Sequence, residues 1–282
     1  MTSTNDDDTN QQPPQPPQPN NQNYHHEPTS PHFQPRYTGP SPSSLTSEQQ
    51  TLRQSILTSR PHTGLSGPFG PWLAIPSIAR PSQELGRVVR YETSLSMRES
   101  ELVILLTGAK FKSEAEFDIH VGEARRAGVG WDVICSIPRG EFLLSEEEQE
   151  ERIESHQNAR KDESKMEFSL ENVKKHVIPM LEKEHDDDDG DVKQEQENNS
   201  LSPSPSPLCD KTKKKREVAI VQFAAELLDG NTVSDETYAT TKEILDGNDS
   251  VLVEITSIIG YYAYVAYTLN VFKIASAVKP SV

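Results

Sequence analysis

Apolar positions in this chain recur at helical spacing, and no segment shows the strict alternation of a half-buried strand. A first helix is predicted from about Ser47 (SEQQTLRQSILTSR), with Leu52, Ile56 and Leu57 on one side and an end before Pro61. The stretch HTGLSGPFGPWLAIPSIARP is dense in glycine and proline. Its interleaved Leu65, Phe69, Trp72, Leu73 and Ile75 nevertheless make it an ordered, buried connector. Ser82 is expected to open the next helix, whose Leu85, Val88, Val89 and Leu95 outline an apolar face.

Two helices at about 97–110 and 114–127 form the centre of the pattern. Ser96 with Glu99, and Ser113 with Glu116, both fit the Ser-x-x-Glu capping box that starts a helix. Every residue from Leu102 to Leu106 is large and aliphatic, so the first of the pair is buried on most sides. The second ends at Gly128 with Arg125 and Arg126 in its last turn. Trp131 to Ile137 reads as a short helix stopped by Pro138. Further on, EVAIVQFAAELLDG, VSDETYATTKEILDG and the long segment from Val251 resume the helical pattern. The chain is expected to be all-α.

Composition divides this pattern into parts. Hydrophobic residues make up only 33% of the chain, mean hydropathy is -0.69 and there are 21 prolines, values too polar for one compact domain of this length. Residues 1–43, with QQPPQPPQPNNQN, have almost no aliphatic side chains and read as a disordered tail. Residues 141–216 read as an acidic, low-complexity insertion, within which Leu170, Val173, Val177, Ile178 and Leu181 outline a short amphipathic piece. Residues 141–200 alone hold 20 acids against 8 bases, a net charge of -12 out of -16 for the whole chain. The folded parts, 44–140 and 217–282, are therefore close to neutral, and the acidity gives no support to nucleic-acid binding.

Two cysteines, Cys135 and Cys209, form no CxxC pair, metal framework or disulfide pattern, as suits a reducing compartment such as the cytoplasm. No signal peptide is visible, and Arg36 is the only basic residue in the first 50. Ile255 to Phe272 is uncharged, but Tyr261, Tyr262, Tyr264 and Tyr267 stand near its middle, so a buried helix is expected and not a membrane span. KTKKKRE (211–217) resembles a nuclear-import signal through Lys213–Arg216. As a charged end to the insertion it carries little weight.

The candidate chemistry lies on the central helices. Positions 113, 117, 120, 124 and 127 share one side, and Phe117, Ala124 and Ala127 mark that side as core-facing, with His120 among them. Glu116 stands one turn before His120, close enough to hold one ring nitrogen protonated and leave the other aimed at a cavity. Glu101, just before the aliphatic run, supplies a second acid. The structural alternatives are plain: Glu116 serves its capping box, His120 is a satisfied core histidine, and Glu101 pairs with Arg98 at i,i+3. No zinc spacing, Gly-rich phosphate loop or Ser-His-Asp order is present.

LSGPFGPWLAIP, RESELVIL, EFDIH, EARRAGV and IIGYYAYVAYTLNVF, taken in order, resemble the carboxymuconolactone decarboxylase-like family of the alkylhydroperoxidase D-like all-α fold. The resemblance covers 44–140 and the C-terminal helices, with 141–216 as an insertion. In the peroxidase branch, positions 113 and 116 would be cysteines; here they are Ser113 and Glu116, so disulfide cycling is excluded and the thiol-free branch is implied. The residue before Glu116 is Ala115 where an aromatic is common, and Phe117 replaces the usual Trp, which leaves the substrate open. The resemblance implies cofactor-free acid–base chemistry, decarboxylation or a related proton transfer, on a small oxygenated organic acid, lactone or polyketide-type compound. His120, Glu116 and Glu101 would be catalytic, Arg98, Tyr261 and Tyr262 would face the substrate, and the chain would assemble as a trimer or hexamer. The competing expectations are a non-catalytic helical assembly or binding module of the same fold and, with less support, peroxide reduction through Cys135 or Cys209.

Overall fold

The structure, a computed structural model, describes residues 35–60, 64–140, 166–188 and 210–274. Among these residues there are helices and no strand. In chain order they are α1 (Ser47–Ser59), α2 (Phe69–Trp72), α3 (Pro76–Tyr91), α4 (Met97–Lys110), α5 (Glu114–Arg126) and α6 (Trp131–Ser136). After the gap come α7 (Leu170–Asn172), a π-helical turn (Val173–Val177), α8 (Ile178–Asp188), α9 (Asp210–Gly230), α10 (Asp235–Ile244) and α11 (Asp249–Phe272).

The centre of the bundle is α4. Its N-terminus is held by the expected box: Ser96 Oγ accepts from Glu99 N and a Glu99 oxygen accepts from Ser96 N. All residues from Glu99 to Ala109 are buried, because α5, α9 and α11 pack against it on different sides. Each large side chain of the run Leu102–Leu106 removed from water contributes about 1.5–3 kcal/mol.

The C-terminal helix α11 closes the bundle against α3, α4, α5 and α9. It is the one described helix long and apolar enough to cross a membrane. Ile255, Ile258 and Ala266 nevertheless have no exposure and belong to the shared core. Trp72 of α2 stacks on Tyr264 with centroids 4.6 Å apart, and its Nε1 donates to Thr268 Oγ1 at 3.0 Å. The glycine-proline connector is thus buried at Phe69, Trp72 and Leu73 as expected, although Ile75 is exposed.

Three boundaries differ from the sequence expectation. Most of the tail expected over 1–43 lies outside the described residues, but its last part is docked: Arg36 N donates to Phe272 O at 2.8 Å and Tyr37 packs on the Phe272 ring. Gly39 there takes φ +112° and lies so close to Gly70 that a Cβ would stand 2.3 Å from the Gly70 carbonyl oxygen. The insertion expected over 141–216 is also shorter than its composition implies. Val173, Val177 and Leu181 have no exposure and α7–α8 pack on α9, which begins at Asp210 and not at Glu217. The rest of that insertion lies outside the described residues.

The third difference is α3. It starts at Pro76 and carries Pro81 within its first turns, not at Ser82. Its buried edge is Ala79, Gln83, Gly86 and Val89, while Leu85 is 47% exposed and Ile78 46%. Gly86 on this edge meets α11 closely: a Cβ on residue 86 would stand 2.1 Å from Tyr261 Oη, so any larger residue there would have to displace the tyrosine. Arg90, one turn on, meets Tyr262 of the same helix.

Candidate active site

Four elements bring one cluster together. Glu101 comes from α4, Glu116 and His120 from α5, Tyr262 from α11 and Arg90 from α3. His120 is only 4% exposed. Its Nδ1 donates to Glu101 Oε2 at 2.7 Å, and its Nε2 lies 3.2 Å from Glu116 Oε1. Arg90 Nη1 stands 3.2 Å from Tyr262 Oη, 3.5 Å from Glu101 Oε1 and 3.3 Å from His120 Nδ1. The shorter Glu101 contact identifies Nδ1 as the donor of that bond, and leaves Arg90 a neighbouring cation that donates to Tyr262 and faces the carboxylate.

The electrostatics follow from this packing. Burial by itself disfavours the imidazolium, but the Glu101 and Glu116 carboxylates outweigh it and lift the His120 pKa to about 9. The ring is therefore charged at neutral pH, with both nitrogens as donors. Burial pushes the Tyr262 phenol above its ordinary range despite the pull of Arg90, so its hydroxyl stays neutral. Glu101 and Glu116 face the imidazolium and the guanidinium, and Arg90 Nη2 also stands 3.7 Å from Glu123 Oε2 at the more open edge, so each buried charge has an opposite neighbour.

The expected capping box at Ser113 does not form. Ser113 is the N-cap of α5, but its side chain makes no cap bond and its Oγ is buried without a partner among the described residues. Glu116 reaches His120 instead, so the capping explanation of its identity falls away. The arrangement of the ring also differs from expectation: both nitrogens are engaged, and neither is left aimed at a cavity. The two cavities described elsewhere on the molecule have none of these residues in their walls.

The other proposed site residues separate. Tyr262 stands edge-on to the His120 ring, with centroids 5.1 Å apart at 86°. Tyr261 packs beside Tyr262 and against Trp72, with its hydroxyl over Gly86, one step removed from the cluster. Arg98 is elsewhere. Its Nε donates to Glu217 Oε1 at 2.9 Å, Nη1 and Nη2 bond Glu184 at 3.1 and 3.2 Å, and Nη1 also donates to the Gly128 carbonyl. Neither a pairing with Glu101 nor a place beside His120 is open to it.

Arg90 takes the position expected of Arg98, and sequence reasoning missed it. The signal was the small and polar stripe Ala79–Gln83–Gly86–Arg90 at i, i+4, i+7 and i+11, overshadowed by Leu85 and Val88. Cys135, half-buried on α6, has its thiol pushed up by burial, which keeps it from the thiolate that peroxide chemistry needs. Cys209 lies outside the described residues. Among the described residues no group of three or more His, Cys, Asp or Glu side chains is arranged to hold a metal ion. Comparison with family models, with curated proteins and with solved structures found no match to this chain.

Proposed function

We propose that the Glu101–His120–Glu116 cluster carries out cofactor-free proton transfer on a small oxygenated organic acid, lactone or polyketide-type compound. The fold would be an alkylhydroperoxidase D-like bundle of the carboxymuconolactone decarboxylase-like, thiol-free type, in a reducing compartment such as the cytoplasm. The observation that carries this reading is a charged imidazole gripped by two carboxylates inside an apolar bundle. A proton donor of pKa about 9 is matched to an enolate or carbanion formed near neutral pH. In a decarboxylation the carbon–carboxylate bond breaks, carbon dioxide leaves and the electron pair stays on carbon. That carbon takes a proton from His120 once Glu116 releases Nε2, and water restores the ring proton. Arg90, whose side chain is 16% exposed and the most open of the cluster, would hold the substrate's carboxylate or enolate oxygen, with the Tyr262 hydroxyl beside it. Copies of the chain, as a trimer or hexamer, would meet over the exposed Ile78, Leu85 and Val88 of α3 and Val253, Tyr267 and Val271 of α11.

A second reading is favoured by one observation: both ring nitrogens are already satisfied and His120 is almost fully enclosed. On that reading the cluster is a structural tie in a non-catalytic assembly or binding module. Metabolite profiles of cells lacking the protein, then supplied with the parent chain, His120→Ala or Glu116→Gln, separate the two. The enzyme reading expects a small acid or lactone consumed only with the parent. If both variants accumulate as folded protein and restore the parent's profile, the enzyme reading is wrong.

A further inference from the structure

The His120 cluster reaches solvent along α5. Glu123 and Arg126 follow His120 at steps of three residues, and each such step turns about 60° round the helix. The row therefore runs from the buried side outward, and its side chains are 5, 25 and 67% exposed. Arg90 meets this row from α3. Its hydrogen bonding among the described residues is all at Nη1, on the Tyr262 and His120 side. Nη2 faces Glu123 Oε2 at 3.7 Å, an ion pair too long for a hydrogen bond.

Glu123 is held back from Arg90 by its other neighbour. Its Oε1 sits 2.5 Å from Arg126 Nη2, and Arg126 lies back along α5, its terminal nitrogens 3.8 and 3.9 Å from where a Cβ on Gly122 would stand. Glu123 is thus shared unequally, with a tight bond on the solvent side and a loose one on the buried side. A carboxylate so placed balances the second edge of Arg90 without using its donors. Exchange for another carboxylate leaves the charge beside Arg90 unchanged, and Arg90 gains the short charge-assisted bonds that a guanidinium makes with a carboxylate. A neutral lactone has no charge with which to replace Glu123. A dianion brings one charge too many beside Glu101 and Glu116. The exposed Tyr91 ring, 5.7 Å from the Arg90 guanidinium carbon, offers a flat apolar surface at the same edge.

We propose that Glu123 is a stand-in for substrate on Arg90 and makes the site select a monocarboxylate with a planar, apolar body. The entering carboxylate takes the Nη2 edge, and Glu123 turns outward to stay with Arg126. This rests on the reading of Arg90 as the substrate's anchor, and it narrows the acid, lactone or polyketide-type compound to an acid of single negative charge. Glu123 sets specificity and takes no part in the proton transfer.

Titration of the full chain at pH 7 with benzoate and with phthalate, read at the His120 ring ¹⁵N signals, tests it. Arg90 Nη1 lies 3.3 Å from His120 Nδ1, so this signal reports binding beside Arg90 and not elsewhere on the surface. The parent should show a saturable benzoate shift and weaker phthalate binding. Glu123→Gln should tighten benzoate roughly fivefold, the upper range for a partly exposed ion pair, and admit phthalate. Glu123→Asp keeps the charge but shortens the reach to Arg90, and should also tighten benzoate. Arg126→Gln releases Glu123 onto Arg90 and should weaken benzoate, with no further effect once residue 123 is changed to Gln. No saturable shift, unchanged or weaker benzoate binding in either Glu123 variant, or an Arg126→Gln effect that persists in the Glu123→Gln background overturns the proposal. Binding is read without turnover, so the two readings fail separately. Substrate consumption without benzoate exchange removes this proposal alone, and exchange without consumption removes only the proton transfer.

Discussion

Two charged clusters meet α4 within one turn of each other, and they are built differently. At Arg98 the guanidinium is ringed by Glu184, Glu217 and the Gly128 carbonyl, while His185 Nε2 reaches Glu217 at 2.9 Å. This clasp ties α8 and α9 to the start of α4. At Glu101 the partners are His120, Arg90 and the two-carboxylate arrangement completed by Glu116, enclosed by Tyr262. Both contain a histidine beside a glutamate, but His120 is buried between two acids, which lift its pKa, whereas His185 is more open and meets Glu217. A histidine–carboxylate pair is therefore not informative by itself. Enclosure and the second acid distinguish a chemically poised cluster from a clasp.

The largest expected contrast comes from removing one acid from each. Glu101→Ala strips Arg90 and the imidazolium of their nearest buried counter-charge and should cost about 3–5 kcal/mol in urea denaturation. Glu217→Ala leaves Arg98 with Glu184 and Gly128, and about 2 kcal/mol is expected. Equal losses would erase the distinction between the clusters.

The pH dependence comes next. The His120 pKa rises from 6.5 to about 9 on folding. Folding therefore favours the protonated ring, a contribution fully present below pH 6.5 and lost as the pH rises through 9. The shift corresponds to something on the order of 3 kcal/mol. His120→Gln should flatten the profile of stability against pH in that window, as read by urea denaturation at each pH.

The smallest contrast concerns the two serines that look alike in sequence. Ser96→Ala removes a working cap and should cost about 1 kcal/mol. Ser113→Ala removes a buried hydroxyl with no partner among the described residues and should be neutral or slightly stabilising, within about 0.5 kcal/mol. A full capping loss at Ser113 would return Glu116 to its helix-start role and weaken the case for its pairing with His120.

These clusters also show what could be read from the sequence. Glu101, Glu116 and His120 were legible because local periodicity placed the aliphatic run on α4 and His120 beside Phe117 and Ala124 on α5. The same local rules failed at α3, whose buried edge carries Gly86 against Tyr261, a contact between distant parts of the chain. Arg90 was lost with it, and Arg98 was put in its place. At α7–α8 acids outnumber bases, but the apolar spacing that outlined an amphipathic piece held: Val173, Val177 and Leu181 carry the packing. Helix periodicity is a property of neighbours, while the choice of buried edge is decided by the partner helix.

The chemistry of the cluster depends above all on the charge state of one ring, which NMR reads directly from the imidazole ¹⁵N shifts of His120 across pH 5–10. The structure predicts a ring protonated on both nitrogens at pH 7 that loses its proton near pH 9. A neutral single tautomer at pH 7, or titration at or below 6.5, would contradict it.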